Sequence, residues 1–155
     1  MGLNYEFRAA GRILAALSPE QHRRLEDLAA EIQTADEVLR RRAARPLARC
    51  QDACRGLCCR NVALDEIIDR DDFVYLLIRA PSLKNRIAAC LAEEKPFFTA
   101  DCCFLEGGTG PCMFPPEVRP VVCLATFCGD TAPIRQEIRR LKRAFGQLAW
   151  FLRLR

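Results

Sequence analysis

All ten cysteines and six of the nine prolines fall between Cys50 and Asp130, and this pairing restricts how the middle of the chain can fold. Pro111, Pro115, Pro116 and Pro120 each fix φ and remove a backbone donor, so no long helix or central strand fits there. A stretch of that kind needs another organiser, and the thiols offer two: disulfide staples or bound metal. The N-terminal MGLNYEFRAAGRIL argues about compartment. Glu6, Arg8 and Arg12 interrupt the apolar region a signal peptide requires, and Glu6 stands where myristoylation needs Ser or Thr. No apolar run reaches the length of a membrane span. A cytoplasmic protein with no membrane association is therefore expected. In that reducing setting clustered cysteines favour metal over structural disulfides.

The spacing refines the expectation. Cys50, Cys54, Cys58 and Cys59 form a C-x3-C-x3-C-C run, which is neither a zinc knuckle nor a ferredoxin run. The second group comprises Cys102, Cys103, Cys112, Cys123 and Cys128. Side chains of adjacent residues diverge along the backbone, so the vicinal pair Cys58-Cys59 suits two metal atoms better than one tetrahedral ion. Eight or nine thiols also exceed the four ligands of a structural zinc. Zinc and an iron–sulfur centre both remain open, with the surplus of ligands leaning toward a polynuclear iron centre. Arg119, inside the second group, is placed to favour thiolate over thiol and to hydrogen-bond a cluster sulfur.

Amphipathic stripes flank this segment. Leu3, Phe7, Ala10, Leu14 and Leu17 recur at helical steps, and Ser18-Pro19-Glu20-Gln21 reads as a capping box opening a second helix. That helix continues through Leu25, Leu28, Ile32, Ala35 and Leu39, and Arg45-Pro46 is expected to end it. After Pro133, Ile134, Ile138, Leu141, Phe145, Leu148 and Leu152 make a third seam. Such stripes must pack on something; a small antiparallel bundle within the chain is favoured over a dimerisation element. Within the central segment, Asp69-Arg70-Asp71-Asp72 predicts a capped helix over FVYLLIRA that Pro81 ends, and Ser82 predicts the cap of a helix that Pro96 stops. CCFLEGGTGPCMF predicts two short strands around a turn over Gly107–Gly110.

The fold class expected is thus mainly α, with a small irregular or β-hairpin cysteine-cluster core and amphipathic N- and C-terminal helices packing as a small bundle. Three regions follow: residues 1–49 as a helical extension, 50–130 as the metal-binding domain, and 131–155 as a C-terminal helix returning to the first.

The cysteine pattern resembles the bacterial YkgJ-type cysteine-cluster family, the CxxCxxCC family of zinc- or iron-chelating domains. Cys50, Cys54, Cys58 and Cys59 match its opening, and Cys102-Cys103-Phe104-Leu105 its C-x-F-L, with Cys103 where proline is common. Cys112-Met113-Phe114, then Arg119-Pro120-Val121-Val122-Cys123 and finally Cys128 match the rest, although Pro115-Pro116-Glu117 makes the loop one residue longer than usual. The resemblance covers residues 50–128 and implies chelation of zinc or iron by Cys50, Cys54, Cys58, Cys59, Cys102, Cys112, Cys123 and Cys128, with Cys103 as an additional ligand. A similar module occurs in flagellin lysine methylases, but no glycine-rich strand–loop–helix for S-adenosylmethionine is evident, so that activity is not carried over.

Other features read as structural. His22 is expected to be a solvated surface residue, and Cys90 a buried apolar one. Asp101 and Glu106 are expected in turn and cap roles rather than as ligands. Arg40, Arg41, Arg42, Arg45 and Arg49, with Arg135, Arg139, Arg140, Lys142, Arg143, Arg153 and Arg155, form basic faces. Without interleaved aromatics or a recognised motif, a solvated helix back is favoured over a nucleic-acid site. The function expected is a metal-binding structural or accessory module without catalysis of its own. It docks to an unidentified protein partner, or to a second copy, through the amphipathic helices. The alternative is an electron-transfer component serving a partner enzyme.

Overall fold

In a computed structural model of the chain, the described residues are 2–52, 63–92, 102–106, 111–127 and 129–154, the side chains of 45–52, 65 and 66 excepted. Cys54, Cys58, Cys59, Cys128, Asp101 and the Gly107–Gly110 turn lie outside them, as does the side chain of Cys50.

The architecture is mainly helical. The first two helices are α1 (Leu3–Ala16) and α2 (Pro19–Asp52); Ser18 and Gln21 close the expected capping box between them, with N–O distances of 2.9 and 3.2 Å. α2 does not stop at Arg45-Pro46 but continues to Asp52, so its last turns carry the backbone of Cys50. A proline within a helix removes one backbone bond and strains one turn, at about 3 kcal/mol, which a long and otherwise packed helix can absorb. Next come α3 (Leu64–Ile67) and α4 (Arg70–Arg79), then a 3-10 turn over Pro81–Leu83 leading into α5 (Lys84–Ala92). Ser82 therefore lies inside the turn rather than capping α5. α6 (Val121–Ala125) follows, and a second 3-10 turn at Ala132–Ile134 runs into α7 (Arg135–Leu154).

α4 is the centre of the packing. Phe73, Val74, Tyr75 and Leu76 have no exposed surface, and a helix apolar on all sides has to be enclosed. α1 lies against one side, where Phe7 and Phe73 meet edge to face at 5.4 Å. The α2–α7 pair closes the other, with Tyr75 edge-on to Phe145 at 5.0 Å. The seams of Leu25, Leu28, Ile32, Ala35 and Leu39 on α2 and of Leu141, Phe145, Leu148 and Leu152 on α7 are buried, as their periodicity required. These two helices run antiparallel, since Arg42 near one end pairs with Glu137 at 3.8 Å while Arg24 and Leu28 border Trp150. Ile13 joins Phe7 and Ala10 in the α1 seam, while Leu3, Leu14 and Leu17 pack at its edge.

The N-terminus of α4 forms a full capping box. Asp69 accepts from the amides of Asp71 and Asp72, and the Asp72 carboxylate accepts from that of Asp69. Among the described residues there is no strand. Leu105 and Cys112 instead form one isolated antiparallel bridge. No described helix is long and apolar enough to cross a membrane.

Two substitutions check this packing by chemical denaturation. Leu148→Ala should lose about 2–5 kcal/mol through the cavity it opens. Lys142→Ala, on the outer face of the same helix, should change stability by no more than about 0.5 kcal/mol.

Candidate metal centre

The cysteine segment is attached to the helical body at two places. The first is Asp72. Its Oδ2 serves the α4 capping box, and its Oδ1 accepts from the Val121 amide at 2.8 Å. Val121 opens α6, whose N-cap is Pro120 and has no side-chain cap of its own. One buried carboxylate thus satisfies amides at the starts of two helices, consistent with the preference of helix N-termini for negative charge. The site carries a cost. Burial pushes the Asp72 carboxyl up to about 7, and the nearby Asp69 and Asp71 add to it, while the bonds from the Val121 and Asp69 amides act in the opposite direction.

The second attachment is α5. The Cys90 thiol donates to the carbonyl of Cys103, and Arg86 pairs with Glu106 at 2.9 Å. Glu106 is therefore engaged in an exposed ion pair, in agreement with a structural role. Cys90 packs against the core as an apolar residue would, but it is half-buried rather than buried and also bonds the second cysteine group. The sequence carried a faint signal for this. Cys90 lies on the apolar side of α5, one turn beyond the fully buried Ile87, which turns it toward whatever that helix covers.

Within the segment itself, the bridge holds the backbone together. Met113 donates its amide to the Phe104 carbonyl at 2.8 Å and Glu106 to the Pro111 carbonyl at 3.0 Å. Phe104 and Phe114 stack behind it at 4.7 Å, both almost fully buried. This pairing brings the buried Cys102 and half-buried Cys103 into the same small unit as Cys112. Cys123 is exposed on α6.

Arg119 occupies the junction. Burial pushes the Cys112 thiol up, and a hydrogen bond from the Phe114 backbone and the Arg119 guanidinium oppose the shift. The same guanidinium acts on Asp36, which is fully buried in α2 and bonded to Arg40 at 2.7 Å, and whose carboxyl burial also pushes up. Arg119 thus lies between the helical body and Cys112, where a guanidinium favours the thiolate form. Its Nε, with Asp36 Oδ1, Tyr75 Oη and Arg79 Nε, is buried without a hydrogen-bond partner among the described residues. Buried polar atoms of this kind are usually satisfied by ordered water. Burial, together with the Asp36 charge, drives the Tyr75 phenol upward. His22 is partly exposed on α2 and lies 3.4 Å from Glu26.

Among the described residues no group of three or more Cys, His, Asp or Glu side chains is arranged to hold a metal ion. The thiols themselves are the correct donor class for zinc or iron–sulfur chemistry.

Asp72 gives this region a definite pH response. An unfolded aspartate titrates near about 4. Between there and about 7 the folded chain holds a proton that the unfolded chain has lost, so stability falls as pH rises through that window. Asp72→Asn, followed by denaturation at several pH values from 4.5 to 7.5, should flatten this slope. Part of the slope should persist, because burial raises Asp36 and Asp71 in the same direction.

No protein-family model, curated protein or solved structure matches this chain.

Proposed function

We propose that the chain is a cytoplasmic metal-binding accessory protein whose clustered thiolates chelate zinc or an iron–sulfur centre. The observation that carries this reading is the order of ten cysteines around a proline-rich segment. Of these, Cys102, Cys103 and Cys112 flank one backbone bridge and Cys90 bonds the Cys103 carbonyl, with the Arg119 charge acting on Cys112. Among the described residues their side chains do not form a metal-holding group. The unit is built from irregular backbone and one bridge, on a rigid helical body, which is how a metal-organised hairpin core would be mounted. Cys123 on α6 is held to the same body through Asp72 and Val121. The ligand set proposed is Cys50, Cys54, Cys58, Cys59, Cys102, Cys112, Cys123 and Cys128, with Cys103 as a further donor. Arg119 tunes the sulfur charge from beside Cys112.

Metal would supply what the proline-rich sequence lacks. A structural zinc contributes on the order of 10 kcal/mol to folding in small domains, sufficient to order a segment with few backbone ladders. The resemblance to the YkgJ-type family supports the same ligand order. An electron-transfer role is the second reading. It is favoured by the number of thiols, which suits a polynuclear centre.

Anaerobic purification followed by metal analysis and absorption spectroscopy tests both. Stoichiometric zinc in colourless protein supports the structural reading, and a brown chromophore bleached by dithionite supports the redox one. Protein that carries neither metal and has all its thiols oxidised in pairs contradicts both. Cys112→Ser and Cys123→Ser should each lower metal content markedly. Arg119→Lys should retain metal but bind it more weakly, about 10-fold or more, in chelator competition.

A further inference from the structure

The outer face of the α2–α7 pair carries a groove that the metal reading does not use. At one end it is lined by Leu28 of α2 and by Gly146, Trp150, Phe151 and Leu154 of α7, enclosing 540 Å³. Trp150, the only tryptophan, is 62% exposed and Leu154 67%. Further along, the groove has one acidic bank, Asp27 and Glu31 on α2, and one basic bank, Arg140 and Arg143 on α7. Arg24 borders both halves.

The charges on each bank repel within their own helix. Asp27 and Glu31 are like charges at i,i+4, and Arg139 and Arg143 repeat the arrangement on α7, a spacing that costs a helix a few tenths of a kcal/mol per pair. All are exposed, and among the described residues none of Asp27, Glu31, Arg139, Arg140 and Arg143 closes an ion pair. Arg40, Arg41 and Arg42 of α2 differ, since each is matched by an acid. The groove thus carries two oppositely charged banks that no ion pair among the described residues neutralises.

We infer that a second copy of this chain covers the groove, in a symmetric dimer whose two-fold axis runs along it. A two-fold contact is isologous, so every patch must complement its own rotated image. Rotation about the groove direction places the acidic α2 bank of one copy on the basic α7 bank of the other, and the reverse. The same rotation sets Trp150 and Leu154 of each copy over the partner's α2 beside Arg24, with the largely buried Leu28 beneath. Charge meets opposite charge, and the exposed Trp150 and Leu154 are covered. Arg24 opposite Arg143 is the one unfavourable match, and it limits affinity. Exposed aromatic anchors beside such a charged rim are the composition of a protein interface. This inference does not depend on the metal site.

The test is sedimentation velocity on the full chain as purified, with Trp150 fluorescence read across the same concentrations. The wild type should be a dimer at high concentration, with Trp150 emission moving to the red on dilution. The double variants Asp27→Lys with Glu31→Lys, and Arg140→Glu with Arg143→Glu, should each weaken dimerisation by roughly tenfold or more while keeping helical circular dichroism. An equimolar mixture of the two should recover a mixed dimer, which a loss of fold could not produce. A wild-type chain monomeric up to about 100 μM, at affinities where a specific dimer would show, overturns the proposal. So does undiminished dimerisation in either variant, or failure of the mixture to associate. Binding of a monomeric chain to anionic vesicles or to an acidic helical peptide would also overturn it, by assigning the groove to another occupant.

Discussion

The Asp72 carboxylate joins the two halves of this protein. One oxygen completes the cap of α4 and the other receives the first amide of α6, so the central helix and the cysteine segment share one buried carboxyl group. Taking a carboxylate out of water is costly, and the backbone amides offset only part of that cost, so the group is pushed up to about 7. The result is positional. α4 is enclosed on all sides and cannot move without disturbing the core, and α6 with its Cys123 is held at that fixed point.

The second link between the halves is electrostatic. Arg119 stands between Asp36 in the core and Cys112 in the bridge, acting on both. Asp36, Tyr75, Arg79 and Arg119 leave polar atoms without partners among the described residues, a concentration of buried polarity beneath the cysteine unit. Such groups lower stability relative to an apolar core and specify geometry, because they tolerate few alternative arrangements. The helical body is therefore a mount that fixes the direction from which charge reaches the thiols.

The amphipathic seams and both capping boxes were legible in the chain. Helical periodicity named the buried faces of α2 and α7, and Ser18-Gln21 and Asp69-Asp72 marked helix starts, because these signals depend on residues within one or two turns. The expectation failed at Pro46, where a long helix runs on through a local breaker. It also missed the contact of Cys90 with the Cys103 carbonyl, which depends on how α5 meets the bridge. Much of the cysteine set lies outside the described residues, so the ligand pattern rests on its sequence order.

Sequence by itself determined the class of this protein: amphipathic helices around a proline-rich thiol segment that they cannot order by propensity. It also determined the chemistry available, since ten cysteines and a lone histidine leave sulfur as the dominant soft donor. Only the tertiary structure decided that Asp72 caps two helices, that Arg119 links Asp36 to Cys112, and that the charged banks of α2 and α7 face each other across a groove. Those are contacts between residues tens of positions apart, and no local pattern encodes them. They arise once burying α4 has fixed where every other element must lie.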